Sequence, residues 1–411
     1  MQVMLARLKH WLRPYRKLYL FLGRIFGLYR NCIMQCARLF RGTDNNLVVF
    51  SAFDGKSYND NPRYISEKLH ELRPETKIVW LLNNPESAKR KFNIPDYVDV
   101  CNTIKRRGVS ALARARIVVD NYAKRFYLSF PGKGQIYIQT WHGDRAFKKV
   151  GYDNPHQYTR FNRMLEEKCT LGVTGSDYGD MQFRSAFHYK GELMKVGYPR
   201  NDILLRNDPA EGRAIREKLG LNQDVKLLLY APTFRDTEQK NHEVQKVRLD
   251  LNHVLDVLEE STGEKWQCLV RAHYMTRGIP FDDGSGRLIA ASAHPEMAEL
   301  LKISDALITD YSSCAGDFAL TRRPIWLYQD DLQDYQTNNR ALYFDMKDSP
   351  YWVAATPEEM DALIRATTPE RARENCDTIL RFYGEAETGH AAQSVAEYII
   401  SKLEPNRKGD K

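Results

Sequence analysis

Short apolar segments that alternate with helical segments constrain the fold of this chain more than any other feature of its sequence. Apolar residues run continuously through each short segment, which is typical of strands buried on both faces of a parallel sheet. Ten segments have this pattern: Asn46–Ala52, Lys77–Leu82, Ala115–Asp120, Gln135–Thr140, Thr170–Thr174, Leu193–Val196, Lys226–Tyr230, Gln267–Arg271, Ala306–Thr309 and Ile325–Tyr328. Helical patterns separate many of them: Pro62–Leu72, Glu211–Leu219, His253–Thr262 and Pro295–Ile303. This alternation predicts a doubly wound α/β fold.

The length of 411 residues indicates more than one domain, because a single core rarely grows to that size. A boundary is predicted near 201–210, where Asn, Asp and Pro residues cluster between the two series of strands. We therefore predict one α/β domain over 46–205 and a second over 206–385, which face each other across a cleft. Residues 1–45 form a separate leader segment, and residues 386–411 a C-terminal helix and tail.

The leader holds the excess positive charge of the chain. Residues 1–43 contain nine Lys or Arg residues and no acidic residue, whereas the whole chain has a net charge of +8. Its longest uncharged run after Lys17 is Leu18–Gly23, which is much shorter than the roughly 20 residues of a membrane span. Large apolar residues alternate with the cations in a pattern typical of an amphipathic helix on an anionic membrane surface. A helix packed on its own domain or on a partner protein fits the same pattern.

Composition and missing motifs exclude several function classes. The seven cysteines include no CxxC pair and no Cys/His cluster, which indicates a reducing compartment and no structural zinc. No phosphate loop of the form GxxxxGK[ST] is present, and no GxGxxG follows a predicted strand. The excess of positive charge lies in the leader, and the rest of the chain is nearly neutral, so a nucleic-acid partner is not expected.

Polar residues follow two predicted strands of the first half. His142 comes directly after the strand that ends at Thr140, beside Gly143, and its ordinary pKa near neutrality suits a general base. A loop histidine that only makes structural hydrogen bonds is the alternative. Arg200 closes the first half, where it either binds a phosphate or carboxylate, or pairs with Asp202 and braces the linker.

The second half has three comparable positions. Thr233 and Arg235 follow one strand, as cleft residues or as part of a plain surface loop. Arg271 and His273 end another strand. Two hydroxyl groups, of Ser312 and Ser313, precede an apparent helix that starts at Cys314; they form either an anion site at a helix N-terminus or an ordinary serine N-cap.

The order of these clusters closely resembles that of the CDP-glycerol glycerophosphotransferase family, the primases and polymerases of wall teichoic acid and related capsule polymers. The shared motifs are KSYNDNPRYI at 56–65, WHG at 141–143, GYPRND at 197–202, YAPTFRD at 230–236, Arg-x-His at 271–273 and TDYSSxxxDFAL at 309–320. Together they cover about residues 46–390.

The resemblance implies a GT-B-type fold of two Rossmann-like domains, with the donor bound mainly by the C-terminal half. It implies that His142 is the catalytic base and that His273 is a second catalytic residue on the donor side. The predicted substrate-binding residues are Trp141, Gly143, Asp144, Arg145, Arg200, Pro232, Thr233, Arg235, Arg271, Ala272, Ser312, Ser313 and Asp317.

The implied reaction is attack by an acceptor hydroxyl on the β-phosphorus of CDP-glycerol or a related CDP-polyol, which releases CMP. The implied acceptor is a lipid-linked glycan or polyol phosphate, and the implied location is the cytoplasmic face of the membrane, held through residues 1–43. Because positive side chains and a helix end would stabilise the phosphates, no cofactor is expected and a divalent metal is not required. The alternatives are a GT-B glycosyltransferase with a nucleotide-sugar donor, a ribitol-phosphate transferase, and a non-enzymatic membrane scaffold.

The chain departs from the family pattern in two places. Family members commonly continue WHG with Thr-Pro, where this chain has Asp144 and Arg145. The family often has Asp-Gly-Lys-Ala near the C-terminus, where this chain has Thr388-Gly389-His390-Ala391. A carboxylate beside reacting phosphates is repulsive unless Arg145 or Lys148 neutralises it.

Overall fold

The structure is a computed structural model that describes residues 16–122, 130–154, 165–233, 235, 247–271, 284–338 and 341–403. The strands of the first domain are β1 (Asp44–Ser51), β2 (Lys77–Leu82), β3 (Asp99–Asn102), β4 (Ala115–Asp120), β5 (Ile136–Gln139), β6 (Leu171–Thr174) and β7 (Glu192–Lys195). Its helices are α1 (Arg16–Arg41), α2 (Asp60–Leu72), α3 (Pro85–Phe92), α4 (Arg106–Arg114), α5 (Asp177–Phe187) and α6 (Asp202–Leu205). The seven strands form one parallel sheet in the order β3-β2-β1-β4-β5-β6-β7.

The second domain repeats this architecture with six strands. They are β8 (Lys226–Tyr230), β9 (Trp266–Val270), β10 (Leu288–Ala290), β11 (Ala306–Thr309), β12 (Ile325–Tyr328) and β13 (Val353–Ala354). The remaining helices are α7 (Pro209–Lys218), α8 (Leu251–Thr262), α9 (Met297–Ile303), α10 (Cys314–Phe318), α11 (Leu332–Asn338), α12 (Pro357–Ala366), α13 (Pro369–Tyr383) and α14 (Ala391–Leu403). The sheet is parallel, in the order β10-β9-β8-β11-β12-β13.

Each sheet reverses its strand order once, between β1 and β4 in the first domain and between β8 and β11 in the second. Val49 pairs with Val118 at the first reversal, and Leu228 pairs with Ala306 at the second. The connections after the two central strands run to opposite sides of the sheet, so a crevice opens beyond their carboxyl ends. Ligand-binding residues of this fold class are expected at these two places.

The predicted α/β fold is confirmed, and all ten predicted strands are present with ends within two residues of the prediction. Both faces of each sheet are covered, and Trp80 and Trp326 are among the largest fully buried side chains. Three strands were not predicted: β3, β10 and β13. All three lie toward the outer edges of their sheets and have only two to four residues, too few to produce a recognisable apolar run.

The last helix, α14, returns to the first domain. Val395 and Ile399 pack in the same apolar cluster as Ile65 and Leu69 of α2. The carboxylate of Asp202 accepts hydrogen bonds from the backbone N–H groups of residues 391 and 392, which satisfies two donors at the start of the helix. Chain segments from both ends of the sequence therefore complete the first domain.

Helix α1 is half packed and half exposed. Met34 and Ala37 are buried against the first domain, and the Arg38 guanidinium donates to the carbonyl of Ala113 and to the side chain of Gln135. Among the side chains of this helix that the structure describes, seven large apolar ones remain exposed: Leu22, Ile25, Phe26, Leu28, Tyr29, Leu39 and Phe40. No helix within the described residues is long and apolar enough to cross a bilayer.

Candidate active site

His142 lies at the carboxyl edge of the first sheet, three residues after β5 ends. Its Nδ1 atom is 2.7 Å from the carbonyl oxygen of Asn121, the residue that follows β4. Because a carbonyl oxygen can only accept, Nδ1 carries the proton of the neutral ring and Nε2 keeps its lone pair. Burial lowers the pKa of His142 below its ordinary value, so the ring is neutral at neutral pH. This geometry suits a general base that acts through Nε2.

The loop that carries His142 has a constrained backbone. Trp141 has a φ of 53°, in the left-handed region that large side chains rarely adopt. Its N–H donates to the side chain of Gln139 at 2.8 Å, and its carbonyl accepts from the Asn61 amide at 3.3 Å. The Arg200 guanidinium donates to the carbonyl of His142 at 2.8 Å. Because several contacts fix the backbone of this loop, the imidazole is held in one orientation.

Gly143 brings the two domains into close approach. A Cβ atom at this position would lie 3.0 Å from the Oγ atom of Ser313 in the second domain. A side chain at this position would therefore require the Ser313 hydroxyl to shift. The loop of the predicted base therefore directly faces the start of α10, as the two predicted halves of the cleft require.

Ser312 and Ser313 follow β11 and are both partly exposed. The Oγ of Ser312 accepts a long hydrogen bond of 3.4 Å from the N–H of Cys314, whereas the Ser313 side chain makes no capping hydrogen bond. Helix α10 begins at Cys314 as predicted but has only five residues. The structure thus leaves the Ser313 hydroxyl on the cleft, and the serine N-cap interpretation applies at most to Ser312.

Arg271 is the first residue after β9, at the carboxyl edge of the second sheet. One of its nitrogens donates to the carbonyl of His294 at 2.8 Å. Among the described residues no carboxylate lies within ion-pair distance of this guanidinium, and burial lowers its pKa. A partly buried cation without a carboxylate partner is suited to an anionic ligand. The neighbouring predictions, Ala272 and His273, lie outside the described residues.

Arg235 organises the loop after β8 instead of facing the cleft. It is 3% exposed, forms ion pairs with Asp310 at 2.9 Å and Asp331 at 2.8 Å, and its guanidinium also donates to the Thr233 hydroxyl. Pro232 and Thr233 are buried in the same loop, where the Thr233 N–H donates to Asp310. The structure therefore places Arg235 beneath the predicted donor site, because two carboxylates already occupy its guanidinium.

Arg200 crosses between the domains. It forms ion pairs with Asp60 of α2 at 2.8 Å and with Asp317 of α10 at 2.7 Å, in addition to its hydrogen bond to the His142 carbonyl. The predicted alternative partner, Asp202, instead caps α14. Arg200 and Asp317 are 8% and 4% exposed, so they connect the loop of His142 to the second domain rather than present charge to the solvent.

Arg145 is fully enclosed in a second cluster of the same interface. Its guanidinium lies 3.1 Å from both Asp317 and Glu387 and 3.4 Å from Asp144. The Asp144 carboxylate also accepts from the N–H of Gly175 at 2.7 Å and from the Ser176 hydroxyl at 3.0 Å. Asp144 and Arg145 were predicted to bind substrate, but every one of these contacts is internal, because the pair is buried where the domains meet.

The first departure from the family pattern contacts the residue next to the second. Arg145, which replaces a proline, binds Glu387, which directly precedes the altered segment at 388–391. Burial raises the pKa of Glu387 to about 7, and Arg145 is the main opposing influence. Glu387, Asp60 and Asn121 are not among the residues predicted from the sequence. Asn121 directly follows a central strand, and Asp60 lies inside a shared motif, so both carried a usable signal; Glu387 carried none.

Within the described ranges, no group of three His, Cys, Asp or Glu side chains is arranged to hold a metal ion. The absence of a metal requirement remains a prediction.

The sequence matches known proteins along most of its length. The profile of the family described as "CDP-Glycerol:Poly(glycerophosphate) glycerophosphotransferase" matches residues 33–401. The chain is 31% identical to a teichoic acid poly(glycerol phosphate) polymerase of Bacillus spizizenii, over 87% of this chain and 92% of that protein. It is 30% identical to a teichoic acid glycerol-phosphate transferase of Staphylococcus aureus, over 87% and 93% respectively. A polymerase of Bacillus subtilis is longer, and the matched region covers 46% of it.

The fold has a close structural counterpart. The wall teichoic acid polymerase TagF superimposes with a TM-score of 0.80 and 26% identity, over 95% of this chain and 98% of the solved chain. A histidine-to-asparagine variant of TagF has also been solved after a soak with CDPG. The matched motifs, the shared two-domain fold and the profile agree, and this chain belongs to the CDP-glycerol:poly(glycerophosphate) glycerophosphotransferase family.

Proposed function

We propose that this chain transfers glycerol phosphate from CDP-glycerol to a hydroxyl group of a lipid-linked acceptor and releases CMP. The observation that carries the proposal is the position of His142, which has an unprotonated Nε2 and belongs to a fixed loop whose next residue, Gly143, lies beside Ser313 of the other domain. Arg271, which has no carboxylate partner among the described residues, supplies a positive charge on the donor side. Similarity to poly(glycerol phosphate) polymerases supports glycerol phosphate as the transferred group.

The proposed reaction is an in-line displacement at phosphorus. The acceptor hydroxyl oxygen forms a bond to the β-phosphorus while the bond from that phosphorus to the bridging oxygen breaks, so that CMP leaves with the bridging oxygen. His142 Nε2 takes the hydroxyl proton. Arg271 and the hydroxyls of Ser312 and Ser313 stabilise the diphosphate and the charge on the departing CMP, and we assign His273 to the same group. Positioning and charge stabilisation provide most of the rate of such transfers.

A donor screen tests this proposal. CDP-glycerol, CDP-ribitol and nucleotide-sugars are each incubated with the protein and a lipid-linked acceptor, and released CMP, UMP and UDP are quantified. We expect CMP from CDP-glycerol at a rate at least about tenfold above any other donor, because discrimination by groups that contact a polyol hydroxyl is commonly that large. Release of UDP from a nucleotide-sugar would instead identify a glycosyltransferase, and no turnover with tight donor binding would indicate a scaffold.

We further propose that the chain works at the cytoplasmic face of the membrane and contacts anionic lipids through residues 1–43. Support comes from the nine cations of this segment and from the exposed apolar side chains of α1. Such a combination binds anionic interfaces through apolar burial and electrostatic attraction together. The part of α1 that packs on the domain would set the orientation of the protein on that surface.

Substitution of two exposed residues tests this location without removing the packed part of α1. Leu28 and Leu39 are 61% and 79% exposed. The double variant Leu28→Glu/Leu39→Glu is expected to bind anionic vesicles at least about tenfold more weakly, because it loses apolar burial and adds repulsion. Vesicle co-sedimentation measures the effect, and Leu72→Glu on α2 is the control. Equal co-sedimentation of the wild-type protein and the double variant would refute this contact surface.

A further inference from the structure

A groove of about 1420 Å³ lies between α1 and the amino ends of the first two strands of the first sheet. Its floor is apolar and is made by Ile33, Ala37, Leu47, Val79, Cys101 and Ala111. The exposed side chains of Tyr29 and Phe40 flank it. The catalytic loops follow the carboxyl ends of the strands, so this groove is separate from the cleft that holds His142.

The rim of the groove is positively charged. Five basic side chains line it, against two carboxylates; the basic residues are Arg41, Lys77, Arg106, Arg107 and Arg114. Asp44 pairs with Lys77 at 2.9 Å, and Asp99 pairs with Arg107 at 2.7 Å. Arg41 and Arg106 are exposed and have no carboxylate partner among the described residues. The groove therefore combines an apolar floor with two uncompensated cations on its rim, Arg41 at the last residue of α1 and Arg106 at the first residue of α4.

We propose that this groove binds one anionic membrane phospholipid, with an acyl chain on the apolar floor and the headgroup phosphate at the positively charged rim. The positively charged rim favours an anionic ligand over a neutral lipid. The apolar floor favours an amphiphile over an acidic peptide, because the peptide would leave the floor uncovered. Continuity favours a lipid from the membrane, since the groove opens beside Phe40 on the exposed apolar side of α1. The inference goes beyond the proposed transfer reaction and rests only on the proposed membrane location.

Binding is measured in neutral detergent with the full chain, so that attraction to a vesicle surface does not contribute. The probes are dioctanoyl phosphatidylglycerol and dioctanoyl phosphatidylcholine, and native mass spectrometry counts the bound molecules. We expect one phosphatidylglycerol molecule to be retained, with at least about tenfold preference over phosphatidylcholine, from its net negative charge beside two arginines.

Two variants disrupt the proposed lipid site in different ways. Arg41→Gln/Arg106→Gln removes the rim charges, and Ala111→Phe fills the floor without a change in charge; each is expected to weaken phosphatidylglycerol binding at least about tenfold. Lys89→Gln/Arg90→Gln removes the same charge from α3, outside the groove, and is expected to bind like the wild type. All three variants should keep wild-type CMP release with a soluble acceptor.

Three results would overturn the inference. These are unchanged binding in both groove variants, equal binding of the two phospholipids, and stronger retention of a short-chain polyprenyl phosphate than of phosphatidylglycerol, which would identify an acceptor site. A negative result for lipid binding in the groove is distinguishable from a negative result for the proposed function. The donor screen measures turnover and not lipid binding, and Leu28 and Leu39 lie outside the groove.

Discussion

Replacement of His142 by alanine is expected to lower kcat by at least about 100-fold, because the variant loses proton transfer in the transition state. Donor affinity should change by less than about threefold, since the imidazole is assigned to the acceptor side of the cleft. CMP-release kinetics and calorimetric titration with CDP-glycerol measure the two quantities. His253→Ala, at an exposed histidine on α8 that pairs with Asp361, is the matched control and should keep wild-type kcat.

Arg271→Ala should show the opposite behaviour. Its guanidinium is assigned to the donor diphosphate, so loss of a charge-assisted contact should raise the Kd for CDP-glycerol by at least about tenfold.

If His142→Ala abolished donor binding yet retained turnover at saturation, His142 would be a ligand-positioning residue and not the base.

The pH profile gives an independent check of the base. Burial lowers the pKa of His142, and a base must be unprotonated to act, so activity should fall on the acid side only below the ordinary histidine value of about 6.5. The acid limb of kcat/KM in the wild-type protein reports this ionisation. An acid limb centred above the ordinary value would contradict the assignment.

Arg145→Ala is expected to lower the free energy of unfolding by about 3–5 kcal/mol, since it leaves buried carboxylates without their cation. Asp144 and Glu387 would lose an ion pair each, and Asp317 would keep only Arg200. Chemical denaturation of the wild type and the variant measures the difference. Arg365→Ala is the control, because its pair with Glu260 is exposed, and it should cost no more than about 1 kcal/mol.

The loss in Arg145→Ala should depend on pH. Burial already raises the pKa of Glu387 to about 7 in the presence of Arg145, and removal of the cation raises it further. A buried carboxyl with a raised pKa lowers the free energy of unfolding progressively as pH rises from its unfolded-state pKa to its folded-state pKa. The folded-state pKa is higher in the variant, so the loss continues over a wider pH range there. The deficit should therefore be larger at about pH 8 than at about pH 6. Adding Glu387→Gln should restore part of the stability at about pH 8. A deficit that is equal at both pH values and unaffected by Glu387→Gln would show that Glu387 is not the carboxyl that Arg145 neutralises.

Much of the fold could be predicted because its strands are buried on both faces. Runs such as Lys77–Leu82 and Lys226–Tyr230 are apolar after their first residue, and their bounds in the structure equal the predicted ones. Outer strands such as Val353–Ala354 were not predicted, because they have no apolar run and are strands only through their pairing with a neighbouring strand. Local pattern cannot detect such pairing.

The functional residues divide in a similar way. His142, Ser313 and Arg271 follow buried strands directly, so sequence position alone predicts that they reach a crevice. Whether a charged residue near such a strand end meets a ligand or another residue depends on what the second domain brings opposite it. Arg145, Arg200 and Arg235 all follow the right strands, yet each is enclosed by carboxylates from distant parts of the chain.

The sequence by itself determined the two parallel sheets, their approximate bounds, the family and the residue proposed as the base, because each of these depends on local apolar runs or on short motifs. Tertiary structure alone decided that Asp144 and Arg145 belong to an interdomain ion network with Glu387, 242 positions away from Arg145. It also decided that one face of α1 packs on the first domain while the other stays exposed, and that a charged groove forms beside it. The physical reason is that a buried charge is stabilised by the group that faces it, and that group is set by the packing of distant segments.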